Sequence, residues 1–150
     1  KQRPCVFRVM KHLLKYSVEA TKRTPAICLE QGRIVFEGRS ITENPGEIYR
    51  PVYDWISRYV KLCREETQIE FGFEYINTSS TKWIYNIIKE IARMEEIEKY
   101  ARILWYYEEG DDDMCELGMI LRSLTDCPFF IVETAGLKKS PVDPQFLDAV

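Results

Sequence analysis

The feature that most constrains the fold of this chain is the junction between a strand pattern and a helix pattern at residues 68–81. Before the junction, apolar side chains alternate with polar residues or glycine, at Ile69, Phe71, Phe73 and Tyr75. After it they recur at helical spacing, at Trp83, Ile84, Ile87, Ile88 and Ile91. The change of period predicts a strand with one covered face that leads directly into an amphipathic helix. The polar run 77–80 therefore lies at a strand-to-helix turn.

That polar run, Asn77-Thr78-Ser79-Ser80, has two interpretations. Short oxygen-bearing side chains are favoured at a helix start because they accept hydrogen bonds from the free N–H groups of the first turn. The same N–H groups and the positive end of the helix dipole would stabilise a phosphate on one of the hydroxyls, with Lys82 one turn further on to pair with it. On the residues alone a plain N-cap is the commoner case.

The junction is one of four motifs that follow each other along the chain. They are Thr21-Lys22-Arg23-Thr24-Pro25, Glu43-Asn44-Pro45 followed by Tyr53-Asp54-Trp55, residues 74–81, and residues 105–113. Together they resemble the SiaC-type bacterial regulatory phosphoproteins, small single-domain proteins similar in topology to STAS anti-sigma-factor antagonists. The resemblance covers residues 16–133.

The resemblance implies a partner-switching regulator without catalytic activity. In that family a threonine of the Asn-Thr-Ser-Ser motif is phosphorylated by a dedicated serine/threonine kinase of the histidine-kinase-like ATPase type, and a PP2C-type phosphatase removes the phosphate. The unmodified protein binds and activates a diguanylate cyclase, which links the family to cyclic di-GMP signalling and biofilm formation. Carried over by position, the phosphoacceptor is Thr78. The residues expected to shape this site or to contact a partner are Asn77, Ser79, Ser80, Lys82, Glu43 and Asn44.

An enzyme is disfavoured by the residues themselves. The only histidine, His12, lies in the basic N-terminal segment, so Ser-His-Asp or Cys-His chemistry lacks its usual base. No G-x-x-x-x-G-K-[ST] or G-x-G-x-x-G motif is present to hold nucleotide phosphates. A hydrolase with paired carboxylates at Glu108 and Asp111 is the weakest alternative. A STAS-like module that binds a small ligand is the stronger one.

The composition fits one compact domain. A chain of 150 residues with 45% hydrophobic residues is of single-domain size and can form one core. It contains no run of 18 apolar residues and no secretory leader pattern, so we expect a cytoplasmic protein without membrane insertion. Its five cysteines are scattered and never form a C-x-x-C pair, which favours reduced, packed thiols over disulfides or zinc. We expect neither a metal nor another cofactor.

The charge is uneven along the chain. Residues 1–23 hold seven Lys or Arg and one Glu, a balance of +6, and the remainder has a balance of −9. The acidic remainder disfavours nucleic-acid binding. The basic segment has an amphipathic pattern after Pro4, on the stripe Phe7, Met10, Leu13, Leu14 and Val18. We interpret it as a short helix or tail outside the core, and predict an extension at 1–15, a domain at 16–134 and a tail at 135–150.

Strand and helix patterns alternate along the rest of the chain. Residues 26–30 and 33–39 flank Gln31-Gly32 and predict an antiparallel hairpin. A loop at 40–46 then leads to a helix, in which Pro51 is tolerable only in the first turn. The remaining predicted elements are a helix at 80–94, a strand at 101–107, a helix at 112–124 and a strand at 128–133. This alternation implies parallel strands joined by right-handed crossovers.

The polar residues of the strands indicate that the helices of this α/β fold lie mainly on one face of the sheet. Glu70 and Glu74 recur on one face of the junction strand, and Arg102 lies in the next strand. A sheet covered on both faces has almost continuously apolar strands instead. We therefore predict the STAS-like mixed sheet that the resemblance also implies, with an N-terminal antiparallel hairpin, then parallel strands, and one partly open face.

The acidic run 108–113 is the second candidate site. Five acids among six residues could attract Mg²⁺ or Ca²⁺, but the spacing does not match an EF-hand loop. Capping by Asp111 or Asp112 of the helix that follows is the simpler interpretation, with the further acids complementing the helix dipole. A contribution of this loop to partner recognition stays open.

Overall fold

The computed structural model describes residues 13–62 and 65–137. Its strands are β1 Tyr16–Val18, β2 Ala26–Glu30, β3 Arg33–Ser40, β4 Thr67–Ile76, β5 Ala101–Glu108 and β6 Phe129–Thr134. Its helices are α1 Pro45–Leu62, α2 Thr78–Ile91, α3 Ile97–Tyr100 and α4 Asp112–Ser123. Within these ranges no helix combines the length and the apolar character needed to cross a membrane.

The six strands form one mixed sheet in the order β1-β2-β3-β4-β5-β6. The first three are antiparallel neighbours, and β3 to β6 are parallel. A helix lies between the members of each parallel pair in the chain, because parallel strands need a long crossover. The predicted mixed sheet, with its hairpin first and its parallel strands after, is confirmed.

The core lies between one face of the sheet and the helices. The sheet contributes alternate residues of each strand, among them Phe36, Phe71, Phe73 and Trp105, and their rings contact one another. The helices contribute apolar rows that include Val52, Ile56, Ile84, Ile88 and Leu121. These side chains are removed from water together, and this burial is the main stabilising contribution in a domain of this size.

The opposite face of the sheet is polar where β3, β4 and β5 meet. Arg33 donates two hydrogen bonds to the Glu70 carboxylate, at 2.9 and 3.1 Å, and Gln68 Nε2 donates a third at 2.8 Å. Arg102 in turn donates to Gln68 Oε1. These bonds satisfy Glu70, which is only 2% exposed, and they explain how a strand with recurring Glu residues fits a sheet whose helices lie on the other face.

Helix α4 approaches β5 closely at Gly118. A Cβ atom at this position would lie 2.5 Å from Trp105 Cδ1. The indole of Trp105 also donates a hydrogen bond from Nε1 to Met114 O at 2.9 Å. The helix and the strand are therefore held together by a contact that only glycine permits.

Three local predictions are wrong or incomplete. Pro51 lies in the interior of α1, not in its first turn, because the helix already begins at Pro45. Its ring is exposed, and it donates no hydrogen bond to the carbonyl of Glu47 one turn earlier. Val18 belongs to β1, which pairs with β2, and not to a basic helix. The short helix α3 had no periodic signal. Leu13 and Leu14 of the predicted N-terminal helix are not helical. Its earlier residues, and the C-terminal tail from 138 onward, lie outside the described residues.

The cysteines of the described ranges are free. Cys127 is buried, and Cys28 and Cys115 are half-buried. Burial raises the pKa of the Cys127 thiol to about 12, so this group packs as a neutral thiol at physiological pH. Cys5 and Cys63 lie outside the described residues.

Candidate functional site

The motifs singled out in the sequence lie at one edge of the sheet. Strands β3, β4 and β5 end at Ser40, Ile76 and Glu108, and antiparallel β2 begins at the same edge. The loops at this edge contain residues 21–25, 41–44, 77 and 109–111. In open α/β sheets the carboxyl ends of the parallel strands are the usual place for binding sites.

Helix α2 begins at Thr78, two residues before the predicted start. Its N-cap is Asn77, whose Oδ1 accepts the N–H of Ser80 at 2.9 Å. Thr78 and Ser79 are exposed, whereas Ser80 is fully buried. Only the first two hydroxyls are therefore accessible to a modifying enzyme.

The two accessible hydroxyls differ in their bonding. Ser79 Oγ donates to Asn77 Oδ1 at 3.3 Å, so it takes part in the cap. The Thr78 hydroxyl makes no hydrogen bond with any other residue of the described ranges. The backbone N–H bond of the cap is accepted by the side-chain oxygen of Asn77, and not by the hydroxyl of Ser79 or Ser80. Thr78 is thus the hydroxyl whose modification would break no existing contact.

Asn77 is fixed from several sides. Its backbone N–H donates to Ser40 O at 2.9 Å, and its side-chain Nδ2 donates to Thr42 O at 3.1 Å. Its own carbonyl accepts from Thr81 Oγ1 at 2.9 Å. The cap therefore joins the first turn of α2 to the loop that follows β3, and Thr78 starts from a rigid position.

A buried group of hydroxyls lies beneath this cap. Ser40 Oγ donates to Ser80 Oγ at 2.8 Å and shares a second hydrogen bond, of 2.6 Å, with Tyr49 of α1. Burial raises the pKa of Tyr49 well above its ordinary value, so the phenol keeps its proton at neutral pH. Ser40 and Tyr49 were not among the candidate residues predicted from the sequence. The spacing of Tyr49, Val52, Ile56 and Tyr59 could have identified Tyr49 as a buried residue of α1.

The loop after β3 leads from this cap into α1. Asn44 N donates to Thr42 Oγ1 at 3.1 Å, and Asn44 O accepts from Glu47 N at 3.2 Å. The side chains of Glu43 and Asn44 are exposed. Their backbone shapes the turn, and their side chains are available to a partner.

The β1–β2 loop forms hydrogen bonds with the loop after β3. Arg23 O accepts from Ile41 N at 2.9 Å, and its guanidinium donates to Ile41 O at 3.2 Å. The loop itself is closed by Thr21, whose backbone N–H donates to Thr24 O and whose Oγ1 bonds Thr24 Oγ1. The basic motif 21–25 therefore contacts the loop that holds Asn77.

Of the two charged side chains near Thr78, one is in an ion pair and the other is not. Glu74 of β4 is neutralised by Arg39, with Nε 2.9 Å from Oε1. Lys82 is exposed and forms no ion pair with any residue of the described ranges. One turn beyond Thr78, the chain thus offers a cation with no partner of its own.

The acidic loop caps α4. Asp111 Oδ1 accepts from Met114 N at 3.1 Å, which confirms the capping interpretation. Gly110 has a φ of 90°, a left-handed conformation that glycine adopts without strain. Glu108 Oε2 accepts from Leu137 N at 3.0 Å and ties β5 to the segment after β6. No group of three His, Cys, Asp or Glu in the described residues is arranged to hold a metal ion.

Comparison with known proteins points to one family. A model described as the SiaC family regulatory phosphoprotein matches residues 18–134. An uncharacterized protein of Pseudomonas aeruginosa (strain UCBPP-PA14) is 27% identical over 116 residues, which is 76% of this chain and 92% of that protein.

Solved structures of similar chains come from the same organism. Apo-SiaC from Pseudomonas aeruginosa superposes with a TM-score of 0.72 at 26% identity, over 79% of this chain and 98% of that one. SiaC also appears as the activator of the diguanylate cyclase SiaD in the structure of their complex, which matches with a TM-score of 0.74 at 26% identity, over 79% of this chain and 99% of that one.

Proposed function

The chain belongs to the SiaC family of regulatory phosphoproteins, and on this premise we propose that it is a non-catalytic, partner-switching regulator controlled by reversible phosphorylation of Thr78. The observation that carries the proposal is the exposed hydroxyl of Thr78 at the first position of α2, beside a rigid cap. A phosphate there would lie against the N–H groups of the first turn and within reach of Lys82.

We propose that the effector is a diguanylate cyclase, bound and activated by the unmodified protein. SiaC of Pseudomonas aeruginosa is the activator of such a cyclase, SiaD, and the family resemblance extends that role to this chain. The modifying enzymes would be a serine/threonine kinase of the histidine-kinase-like ATPase type and a PP2C-type phosphatase. We also propose that the chain acts in the cytoplasm together with these partners.

The physical basis of the switch is electrostatic. A phosphate adds about −1.5 to −2 charges at neutral pH, which disrupts an interface that offers no cation to receive it. A coupling of about 1–3 kcal/mol, or about five- to 150-fold in affinity, is typical of such regulation. It needs no refolding of the domain, because Asn77 and the hydroxyls below it keep the start of α2 in place.

The test has two parts. Phosphopeptide mapping after incubation with the cognate kinase should find phosphate on Thr78, and Thr78→Ala should abolish the labelling. A candidate cyclase is then titrated at fixed salt with unmodified, phosphorylated and Thr78→Asp protein, measuring binding and product formation. Equal affinity of the three forms, within about twofold, contradicts the switch for that target.

One observation favours a ligand-binding module as the second candidate. A cavity of about 440 Å³ opens at the amino ends of the parallel strands, opposite the Thr78 edge, and is lined in part by Gln68, Lys99, Arg102 and Phe130. Its volume is in the range of small-molecule sites. If phosphorylation leaves every affinity unchanged, a ligand screen against Arg102→Ala protein, with the parent as control, becomes the deciding experiment.

A further inference from the structure

Exposed apolar side chains concentrate on α4 and its C-cap residue, Leu124. Met119, Ile120 and Leu124 are 49%, 52% and 53% exposed, whereas Met114, Gly118 and Leu121 of the same segment are buried against the sheet. Successive residues of a helix are about 100° apart, so the exposed residues fall on two flanks. Ile120 and Leu124 share one flank with half-buried Leu117, and Met119 lies on the other.

Contacts between α1 and α2 establish which flank of α2 faces α4. Right-handed crossovers place α1, α2 and α4 side by side on the sheet in chain order. Trp83 and Glu90 of α2 both contact Tyr53 of α1, so their flank faces α1. The opposite flank of α2 therefore faces α4 and carries Tyr85, and Lys82 and Lys89 lie next to Tyr85 on the solvent-facing side of the helix.

Helix α4 runs parallel to α2 on the same face of the sheet, so its corresponding flank faces α2. That flank carries Leu117, Ile120 and Leu124, and Met119 faces the outer edge of β6. The row Lys82, Tyr85 and Lys89 of α2 has the same spacing as this row of α4, i, i+3 and i+7, and both helices run in the same direction. We call the surface formed by these six residues the α2–α4 strip. One of its rows is apolar. The other presents two exposed lysines, and Lys89 lies over the Tyr85 ring at 5.3 Å.

Resting on the proposed function, we propose that the α2–α4 strip is the surface that binds the effector, and that its occupant is an amphipathic helix of the partner with acidic residues along one side. An apolar row beside a cationic row fits a helix whose apolar stripe is flanked by carboxylates. The i, i+3, i+7 anchors span about 10 Å along each helix, two turns of the bound helix.

The position of Thr78 supports this surface. Thr78 lies four residues before Lys82, on the same side of α2, and thus at the amino-terminal end of the strip. A phosphate on Thr78 would compete for Lys82 and repel the carboxylates of the bound helix. The strip therefore explains how modification of an exposed hydroxyl lowers the affinity for a partner that mainly contacts apolar residues.

The first experiment uses SiaD of Pseudomonas aeruginosa as the probe. Ile120→Glu, Leu124→Glu and Lys89→Glu should each weaken its binding to the full chain by about tenfold or more. Met119→Glu and Arg122→Glu are matched controls, because they change exposed residues away from the strip, and they should stay within about twofold. Circular dichroism and thermal melts check that each variant folds. Equal losses in both groups, or no loss in the first, would overturn the proposal.

A second experiment does not depend on the cyclase. The ¹⁵N-labelled full chain is titrated with a helical peptide of about 18 residues that has a Leu stripe flanked by Glu, and with its counterpart that has Lys in place of Glu. The acidic peptide should shift amides of α2 and α4 around the strip, and the basic one should not. No shift, or shifts confined to other residues, contradict the strip. If SiaD fails to bind the parent chain, the proposed function fails for that cyclase. The peptide titration still tests whether the α2–α4 strip binds an acidic amphipathic helix.

Discussion

The β4–α2 and β5–α4 units lie side by side in the sheet and begin their helices in the same way. Asn77 and Asp111 each accept an N–H from three residues further on, at 2.9 and 3.1 Å. The Asn77 cap is neutral and also donates to the loop after β3, whereas the Asp111 cap is followed by two more acids. A negative charge added at the start of α2 therefore changes the local charge greatly, whereas at the start of α4 it would join several acidic side chains that are already there.

The two units also differ in how the helix meets the sheet. α2 buries a row of isoleucines, including Ile84, Ile87 and Ile88. α4 buries fewer apolar residues, and it reaches the sheet through the close contact of Gly118 with Trp105. The first unit therefore combines a helix start held by several hydrogen bonds with a well-filled core, and the second depends more on the close approach at one glycine.

The largest effect we predict tests that dependence. Gly118→Ala should lower the free energy of unfolding by about 3 kcal/mol, the upper part of the range for overpacking, because the new methyl meets the indole ring. The usual gain from replacing glycine in a helix, about 1 kcal/mol, is too small to offset this. Urea denaturation measures the change. Gly136→Ala, where a Cβ meets nothing within 4 Å, is the control, and equal stabilities of the two variants would refute the packing argument.

The next effect compares the two caps directly. Asn77→Ala should cost about 2 kcal/mol and Asp111→Ala about 1 kcal/mol, since the first removes three hydrogen bonds of the side chain and the second removes one. Chemical denaturation of the two variants under the same conditions gives the difference. A loss that is equal in both, or larger for Asp111→Ala, would show that the further bonds of Asn77 with Thr42 and Ser79 add nothing.

A third prediction concerns the effect of alkaline pH on the buried cluster of three hydroxyls beneath the Asn77 cap, those of Ser40, Tyr49 and Ser80. Burial raises the pKa of Tyr49 above its ordinary value. The folded state therefore keeps this proton above about pH 10, where the unfolded chain loses it. Through Tyr49, stability should fall by about 1.4 kcal/mol per pH unit above that point and be unaffected below it.

Denaturation at several alkaline pH values measures this slope. Tyr49→Phe should show a correspondingly shallower decline, and the control Tyr85→Phe should follow the parent. Parallel curves for the parent and Tyr49→Phe would mean that Tyr49 ionises in the folded state as readily as in the unfolded one.

The smallest effect is expected at the acidic cap. Asp112→Asn with Asp113→Asn keeps side-chain acceptors and removes exposed charge, so stability should change by no more than about 0.5 kcal/mol. Calorimetric titration with Mg²⁺ and Ca²⁺ accompanies the measurement. Tight binding by the parent that disappears in the double variant would make the loop a metal site and not a cap.

The sequence by itself determined the elements with a strong local signal. The change of period at 68–81 located β4 and α2, Gln31-Gly32 located the hairpin, and the acidic run gave the start of α4. Each of these signals lies within a few residues of the element that it defines, because side-chain periodicity and capping are local effects. The position of Thr78 at a helix start followed from the same local chemistry.

Only the tertiary structure decided the rest. β1 has three residues, too few to show a period, and forms because β2 offers it a partner. Ser40, Tyr49 and Ser80 come from three elements, and only the fold brings their hydroxyls together and buries one of the three candidate acceptors. The α2–α4 strip likewise joins two helices that are separated by β5. Long-range contacts of this kind leave no pattern along the chain, because they depend on the order and handedness in which the elements pack.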